Sequence, residues 1–253
     1  MAASSRWARW VGLAARVAAR AAARRPEPAP GAGPGHRWGQ GAPLPDGVDP
    51  ATPLFEVPFA VVDVETTGGS PGAGALTEIA AATYVGGECR ASFQTLVDPG
   101  CPVPPLISLL TGITDDMVAG APAVSSVLPS LQEFVAGAVV VGHNVAYDLS
   151  FLDAALGACG RAPMGAHAAV DTLALARRLL RPDVPNCRLR TLAAVLGLEH
   201  APTHRALDDV HATADLLHLL IERATGYGVF VLADLLDLAV ALPGAGPGHA
   251  RVS

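Results

Sequence analysis

Two acidic residues at the end of an apolar run constrain this chain more than any other feature. Asp63 and Glu65 alternate with Val64 directly after Phe-Ala-Val-Val (59–62), and Thr-Thr-Gly (66–68) follows. Successive side chains of a β-strand point to opposite faces, so both acids are expected on one face. At about 4 Å and an effective dielectric near 20, their repulsion is roughly 4 kcal/mol. One acid must therefore bind a proton, a cation must lie between them, or the strand simply runs into solvent.

Length and charge limit the possible classes of protein. The 253 residues, 51% of them hydrophobic, suit one large domain with tails, and no apolar run of about 20 residues predicts a membrane span. Residues 1–50 hold seven Arg and three acids (+4), whereas residues 51–253 hold ten Arg and twenty acids (−10). Such an acidic domain argues against broad electrostatic capture of nucleic acid. It still allows a small site that holds metal ions and one strand end.

Both termini differ in composition from the middle of the chain. Residues 1–25 are rich in Ala and Arg, and residues 26–52 are dense in Pro and Gly. The first stretch has a basic amphipathic helical pattern, compatible with a membrane surface, a nucleic-acid arm or a transit peptide. Leu13 interrupts this pattern, so we expect residues 1–52 to form a disordered extension. We expect one main domain over 53–225, and a C-terminal helix with a loose tail over 226–253.

The main domain has the alternating pattern of an α/β fold. Strands are predicted at 58–65, 75–85, 88–97, 138–142 and 168–171, with a hairpin turn at Gly86-Gly87. The helical patterns lie near 106–110, 114–119, 124–136, 146–157, 172–180, 188–196, 205–224 and 229–241. The four cysteines lack paired metal spacing, which indicates free thiols in a reducing cytoplasm.

A third acid, Asp148, lies on the apolar side of a predicted helix. Phe151, Leu152 and Ala155 follow it at spacings of three, four and seven residues and share its face. A carboxylate at such a position is costly unless it is paired or bound to a metal. The helix dipole favours an acid in the first turn, but it does not explain an acid that faces inward.

Two adjacent acids begin the longest predicted helix, and helical geometry separates them. Asp208 lines up with other acids seven and fourteen positions further, whereas Asp209 lines up with Leu216 and Leu220. Asp209 is thus the candidate buried ligand and Asp208 a surface charge. His204 stands five residues before Asp209, where it could act as a general base.

Together these residues predict a metal centre. The four inward acids would repel one another by several kcal/mol in one pocket. Two Mg²⁺ or Mn²⁺ ions would remove that repulsion, because hard cations prefer oxygen ligands. Two such ions can stabilise the attacking and the leaving oxygen of a phosphodiester hydrolysis. The four acids are Asp63, Glu65, Asp148 and Asp209.

These motifs resemble those of the DEDD superfamily of 3′–5′ exonucleases, in its histidine-containing (DEDDh) branch. That branch includes the proofreading epsilon subunit of bacterial DNA polymerase III and small RNA-trimming exonucleases. Val-Asp-Val-Glu-Thr-Thr-Gly (62–68), His-Asn-Val-Ala-Tyr-Asp (143–148) and His-Arg-Ala-Leu-Asp-Asp (204–209) occur in the family's order. The resemblance covers about residues 57–224. Supporting segments are Leu-Thr-Gly-Ile-Thr (110–114), Asp-Thr-Leu (171–173) and Leu-Arg-Thr-Leu (189–192).

The resemblance implies a fold and a role for each residue. The fold would be ribonuclease-H-like, a mixed sheet of about five strands flanked by helices. Asp63 would bridge both metals, and Glu65 and Asp209 would complete the site of the ion that activates water. Asp148 would bind the second ion, largely through water, and His204 would be the general base.

The resemblance also implies a site for the terminal nucleotide. Tyr147 stands where the family usually has Phe, so we expect it to keep the packing role with a hydroxyl added. The superfamily's tyrosine branch places Tyr at the position of His204, so Tyr147 does not move the chain into that branch. The residues expected to line this cleft are Val64, Thr66, Thr67, Asn144, Tyr147 and His204.

The predicted function is metal-dependent 3′–5′ exonucleolytic hydrolysis at a single-stranded 3′ end, releasing nucleoside 5′-monophosphates. DNA is the expected substrate, in proofreading or repair in the cytoplasm, with a DNA polymerase or repair complex as the candidate partner and no membrane. The alternatives are an RNA-trimming enzyme and a binding module associated with a polymerase or repair complex. Gly226–Ala241 resembles a connector that leads to a UvrC-type nuclease domain in some bacterial relatives; we expect no such domain here.

Overall fold

The computed structural model describes residues 42–239 and contains one mixed β-sheet. Its strand order is β3-β2-β1-β4-β5, with antiparallel β1–β2 and β2–β3 pairs and parallel β1–β4 and β4–β5 pairs. The expected mixed five-stranded sheet is therefore confirmed. The strands are β1 (Phe59–Thr66), β2 (Leu76–Val85), β3 (Glu88–Leu96), β4 (Val139–Gly142) and β5 (Ala169–Asp171).

Helices cover both faces of this sheet, and each lies where the sequence predicts one. The ends differ from the predicted ends by a few residues, as helix ends commonly do. The helices are α1 (Pro105–Thr111), α2 (Asp115–Val118), α3 (Val124–Val135), α4 (Val145–Ala158), α5 (Thr172–Leu179), α6 (Leu189–Leu196), α7 (Ala206–Thr225) and α8 (Leu232–Ala239). None of them, within residues 42–239, is both long enough and apolar enough to reach across a bilayer.

Alternation along β1 divides the core in two. Phe59 and Val61 pack into the larger cluster, together with apolar side chains of α5, α7 and α8. Ala60, Val62 and Val64 pack into the second cluster, with side chains of α3 and α4. Both faces of β1 are therefore buried, which explains why its first half is a continuous apolar run.

The parallel strands direct their carboxyl ends to one edge of the sheet. β1 ends there at Thr66, β4 at Gly142 and β5 at Asp171. Helices α4 and α5 begin immediately after β4 and β5, so their N-terminal turns lie at the same edge. Ligands of open α/β sheets bind at such an edge, and the acidic motifs converge on it.

Residues 42–52 differ from the extension that the Pro and Gly content predicted. Leu44 and Val48 pack against the larger core cluster, and the carbonyl of Pro43 accepts a hydrogen bond from the N–H of Ala168 at 2.8 Å. The carbonyl of Thr52 accepts one from the N–H of Leu232 at 3.0 Å, at the start of α8. These apolar side chains and backbone bonds tie both flanks to the main domain. The expected extension over residues 1–41 lies outside the described residues.

Candidate active site

Asp63 and Glu65 face the edge where α7 begins. In the β1–β2 register Glu65 stands opposite Glu78, and a bulge follows between Glu65 and Thr66. Burial, then the charges of Asp148 and Asp209, raise the pKa of Asp63 well above its usual value. Burial, then Asp209 and Glu78, raise the pKa of Glu65 to about 8.

Asp148 joins this pair from the first turn of α4. Its side chain is buried, with 5% of the residue exposed, as its apolar neighbours in the sequence predicted. One carboxylate oxygen accepts a hydrogen bond from the backbone N–H of Val64 at 3.1 Å. Burial raises the pKa of Asp148 to about 7, although the bond from Val64 opposes this rise. The second motif is thus held against the strand that carries the first.

Asp209 organises the loop that carries His204. Its Oδ1 accepts hydrogen bonds from the N–H of Thr203 at 2.9 Å and of His204 at 3.2 Å. His204 has a left-handed backbone, with φ of 63°, which bends the chain immediately before α7. Asp208 is exposed and accepts a hydrogen bond from the Thr203 hydroxyl at 2.6 Å. The structure thus separates the two adjacent acids in the way that helical geometry predicts.

The four acids and the histidine meet at one place. The candidate ligand atoms of Glu65, His204 and Asp209 all lie within 4.8 Å of one another. Asp63 and Asp148 adjoin them: the charge of Asp209 raises the pKa of both, and the charge of Asp148 raises the pKa of Asp63. Burial raises the pKa of Asp209 as well. Four carboxylates with raised pKa values need positive charge, and this oxygen-rich set fits hard divalent cations such as Mg²⁺ or Mn²⁺.

Glu78 is a residue of this region that the sequence reasoning missed. It is 1% exposed, and it accepts two hydrogen bonds from the Arg205 guanidinium, at 2.8 and 3.0 Å. It also accepts the N–H of Ala206 at 3.0 Å and the side-chain amide of Gln94 at 2.9 Å. Burial alone would raise the pKa of Glu78, but these bonds lower it below its usual value. The sequence signal that could have found Glu78 is the presence of one acid within the largely apolar strand β2.

The predicted nucleotide-contacting threonines use their hydroxyls within the protein. The Thr66 hydroxyl accepts the N–H of Gly68 at 3.0 Å and lies 3.0 Å from the Tyr147 hydroxyl. The Thr67 hydroxyl accepts the N–H of Ala75 at 2.9 Å. These bonds shape the loop after β1. They leave the backbone, rather than the hydroxyls, as the part of this loop suited to contact a ligand.

Tyr147 and Asn144 lie beside this loop, at the start of α4. Tyr147 is 38% exposed, and its ring packs on that of Phe151 with the centroids 5.1 Å apart. Asn144 has a left-handed backbone, with φ of 73°. Its N–H donates to Asp171 Oδ1 at 2.9 Å, and the same oxygen accepts the N–H of Leu173 at the start of α5. Asp171 therefore ties the wall of the cleft to the neighbouring helix.

Comparison with known sequences places these motifs in a family. Residues 60–217 match the family model RNase_T, described as an exonuclease. A protein of Mycobacterium tuberculosis (strain CDC 1551 / Oshkosh) named a bifunctional exonuclease/endonuclease is 44% identical over 189 residues, 72% of this chain and 29% of its own length. A DNA polymerase III of the PolC type from Bacillus subtilis (strain 168) is 36% identical over 176 residues, 70% of this chain and 12% of its own length. The chain thus spans less than a third of either relative.

Solved structures with a similar fold are nucleases. Exonuclease X, in complex with 5′ overhanging duplex DNA, superposes with a TM-score of 0.55 at 26% identity, over 72% of this chain and 99% of the other. Exonuclease I of E. coli, in complex with a dT13 oligonucleotide, superposes with a TM-score of 0.61 at 21% identity, over 68% of this chain and 43% of the other. The second likeness concerns the fold alone.

Proposed function

The chain belongs to the exonuclease family RNase_T and has its ribonuclease-H-like fold, and from this membership we propose that it is a metal-dependent 3′–5′ exonuclease. It hydrolyses the terminal phosphodiester bond of a single-stranded 3′ end and releases nucleoside 5′-monophosphates. The observation that carries this proposal is the convergence of four carboxylates and His204 at the carboxyl edge of the sheet. The acids concerned are Asp63, Glu65, Asp148 and Asp209.

Each of these residues has a distinct task in the proposal. The four carboxylates would hold two divalent ions, which would stabilise negative charge on the phosphate and make a water molecule more acidic. The His204 ring would accept a proton from the attacking water, since its ligand atom lies within 4.8 Å of those of Glu65 and Asp209. Asp209 also positions His204 through the loop N–H groups that it accepts.

DNA is the proposed substrate, in proofreading or repair. The PolC-type relatives are named as DNA polymerases, and Exonuclease X was solved in complex with 5′ overhanging duplex DNA. A polymerase or repair complex is accordingly the proposed partner. We propose the cytoplasm as the compartment, with which four free cysteines agree.

A degradation assay with labelled substrates tests the proposal. Single-stranded DNA and RNA of the same sequence, labelled at the 5′ end, are incubated with the protein in Mg²⁺, in Mn²⁺ and in a chelator. Stepwise shortening from the 3′ end with either metal, and none with the chelator, is expected. His204→Ala should lower the rate about 10²–10⁴-fold, the usual contribution of a general base. The faster substrate decides between DNA and RNA.

The two adjacent acids supply a matched control. Asp209→Asn should abolish hydrolysis, whereas Asp208→Asn should keep it, because Asp208 is exposed, accepts a hydrogen bond from the Thr203 hydroxyl and does not belong to the group of candidate ligands. Intact substrates under every metal condition, with protein that is folded by circular dichroism, would overturn the exonuclease proposal and favour the binding module. Equal loss of activity in both variants would contradict the assigned roles of these acids.

A further inference from the structure

An arginine-rich segment lies outside the site described so far. Residues 177–190, here called the arginine segment, contain five arginines, all exposed: Arg177, Arg178, Arg181, Arg188 and Arg190. Nine arginines occur in residues 42–239, so more than half of them are concentrated in fourteen positions. The segment has a single acid, Asp183, within a region that is strongly acidic otherwise.

Three of the four arginines of residues 42–239 outside this segment pair with a carboxylate, and the fourth, Arg161, donates a hydrogen bond to Gln132. Arg90 pairs with Glu88, Arg205 with Glu78, and Arg223 with Asp183. By contrast, Arg177, Arg181, Arg188 and Arg190 form no ion pair with any carboxylate among residues 42–239. The segment's only acid is already paired outside it. A positive surface of this kind is suited to a negatively charged ligand.

The segment adjoins the candidate active site through His143. The Nε2 of His143 lies 2.8 Å from the carbonyl oxygen of Cys187, the residue before Arg188. Burial lowers the pKa of His143, and the nearby charge of Arg177 lowers it further. His143 directly precedes Asn144, which lines the predicted nucleotide cleft. The part of the arginine segment around Arg188 therefore lies next to the cleft wall, on the face of the sheet covered by α5, α6 and α7.

We propose that the arginine segment binds the phosphates of the nucleic-acid strand on the 5′ side of the nucleotide held in the active site. This inference rests on the proposed exonuclease function. An acidic domain repels a polyanion, so a strand that reaches four clustered carboxylates needs local positive charge along its path. Guanidinium groups suit this task, because they bind phosphate oxygens through two hydrogen bonds at once. These contacts carry no base information, so the segment serves DNA and RNA alike.

A matched pair of double variants tests the inference. Arg188→Gln/Arg190→Gln removes two charges from the segment, and Arg90→Gln/Arg161→Gln removes two elsewhere. Arg90 lies on β3, at the opposite edge of the sheet from β5, and Arg161 follows α4 on the opposite face. Binding of a fluorescein-labelled 20-mer is measured by anisotropy with a chelator present, at several salt concentrations. The ratio of kcat/KM for a 20-mer to that for a trinucleotide is measured with Mg²⁺.

The segment variant should bind the 20-mer about tenfold more weakly than wild type, with a salt slope shallower by roughly 1.4, because each lost phosphate contact removes about 0.7 for a single strand. The ratio of its kcat/KM for the 20-mer to its kcat/KM for the trinucleotide should also be lower than that of wild type. The control variant should match wild type in both. Identical slopes and ratios in all three proteins would overturn the inference, even if hydrolysis is confirmed. Because binding in a chelator needs no turnover, a shallower slope without any hydrolysis would support the segment and contradict the exonuclease proposal.

Discussion

Arg205 and Glu78 form an ion pair next to His204, in which the carboxylate is buried and the guanidinium is partly exposed. The two guanidinium–carboxylate hydrogen bonds are 2.8 and 3.0 Å long, and the same carboxylate accepts the N–H of Ala206 at the start of α7. The pair therefore ties the beginning of α7 to β2. Because His204 is the preceding residue, this contact holds the chain immediately after the proposed general base.

Removing Arg205 should destabilise the fold more than removing Glu78. Glu78 is 1% exposed on its side chain, whereas Arg205 is 36% exposed. Arg205→Ala leaves a buried carboxylate unpaired and should cost about 3 kcal/mol of unfolding free energy. Glu78→Ala should cost less, since Arg205 can turn to water. Urea denaturation measures both, with Arg90→Ala as the control; that exposed pair should contribute less than about 1 kcal/mol. Equal losses in all three variants would contradict the assigned burial of the Glu78 carboxylate.

The metal-free protein should lose stability as the pH rises. The pKa of Glu65 is raised from 4.5 to about 8, so between these values the folded state binds more protons than the unfolded state. The stabilising protonation is present near pH 4.5 and is lost as the pH approaches 8, with a slope of at most about 1.4 kcal/mol per pH unit. Glu65→Gln should therefore become more stable than wild type as the pH rises from 5 to 8.5, in urea denaturation with a chelator.

Two comparisons check this dependence. Glu133→Gln, at an exposed position of α3, should follow the wild-type stability at every pH. Saturating Mg²⁺ should reduce the difference between wild type and Glu65→Gln at pH 8.5, because the metal stabilises the charged carboxylates. A Glu65→Gln variant that is no more stable than wild type at pH 8.5 would contradict the destabilising effect of a charged Glu65 among the neighbouring acids.

Asn144 should tolerate glycine better than alanine. Its φ of 73° lies in the left-handed region, where a Cβ costs about 1–2 kcal/mol unless the residue is Asn or Asp. Both variants remove the side chain that is proposed to contact the nucleotide, so their kcat/KM values should be similar. Only Asn144→Ala should melt at a lower temperature. Equal melting temperatures would mean that the backbone relaxes there.

The Tyr147 ring, rather than its hydroxyl, should serve the substrate. Tyr147→Phe removes the hydroxyl that lies 3.0 Å from Thr66 Oγ1 but keeps the ring on Phe151. The free energy of unfolding should therefore change by less than about 1 kcal/mol, and KM by less than about fivefold. Tyr147→Ala removes the ring and should raise KM by roughly 5–150-fold, equivalent to about 1–3 kcal/mol of base stacking. A Phe variant as impaired as the Ala variant would assign the role to the hydroxyl.

Local periodicity explains how much of the fold and site could be predicted. The alternation around Val64 put Asp63 and Glu65 on one face, and the helical spacing after Asp209 separated it from Asp208. Both inferences needed only residues that are close in sequence within one strand or one helix. The Pro and Gly content of residues 42–52 gave no sign that Leu44 and Val48 pack on the core.

The sequence by itself determined the order of strands and helices and the inward side of each acid, because these follow from the two- and 3.6-residue periods. Only the tertiary structure decided which groups meet. The Val64–Asp148 hydrogen bond joins residues 84 apart, and the Glu78–Arg205 pair joins residues 127 apart. The raised pKa values of the acids likewise depend on burial between elements that are distant in the chain. Such contacts depend on how the sheet pairs and how helices cover it, which no local pattern encodes.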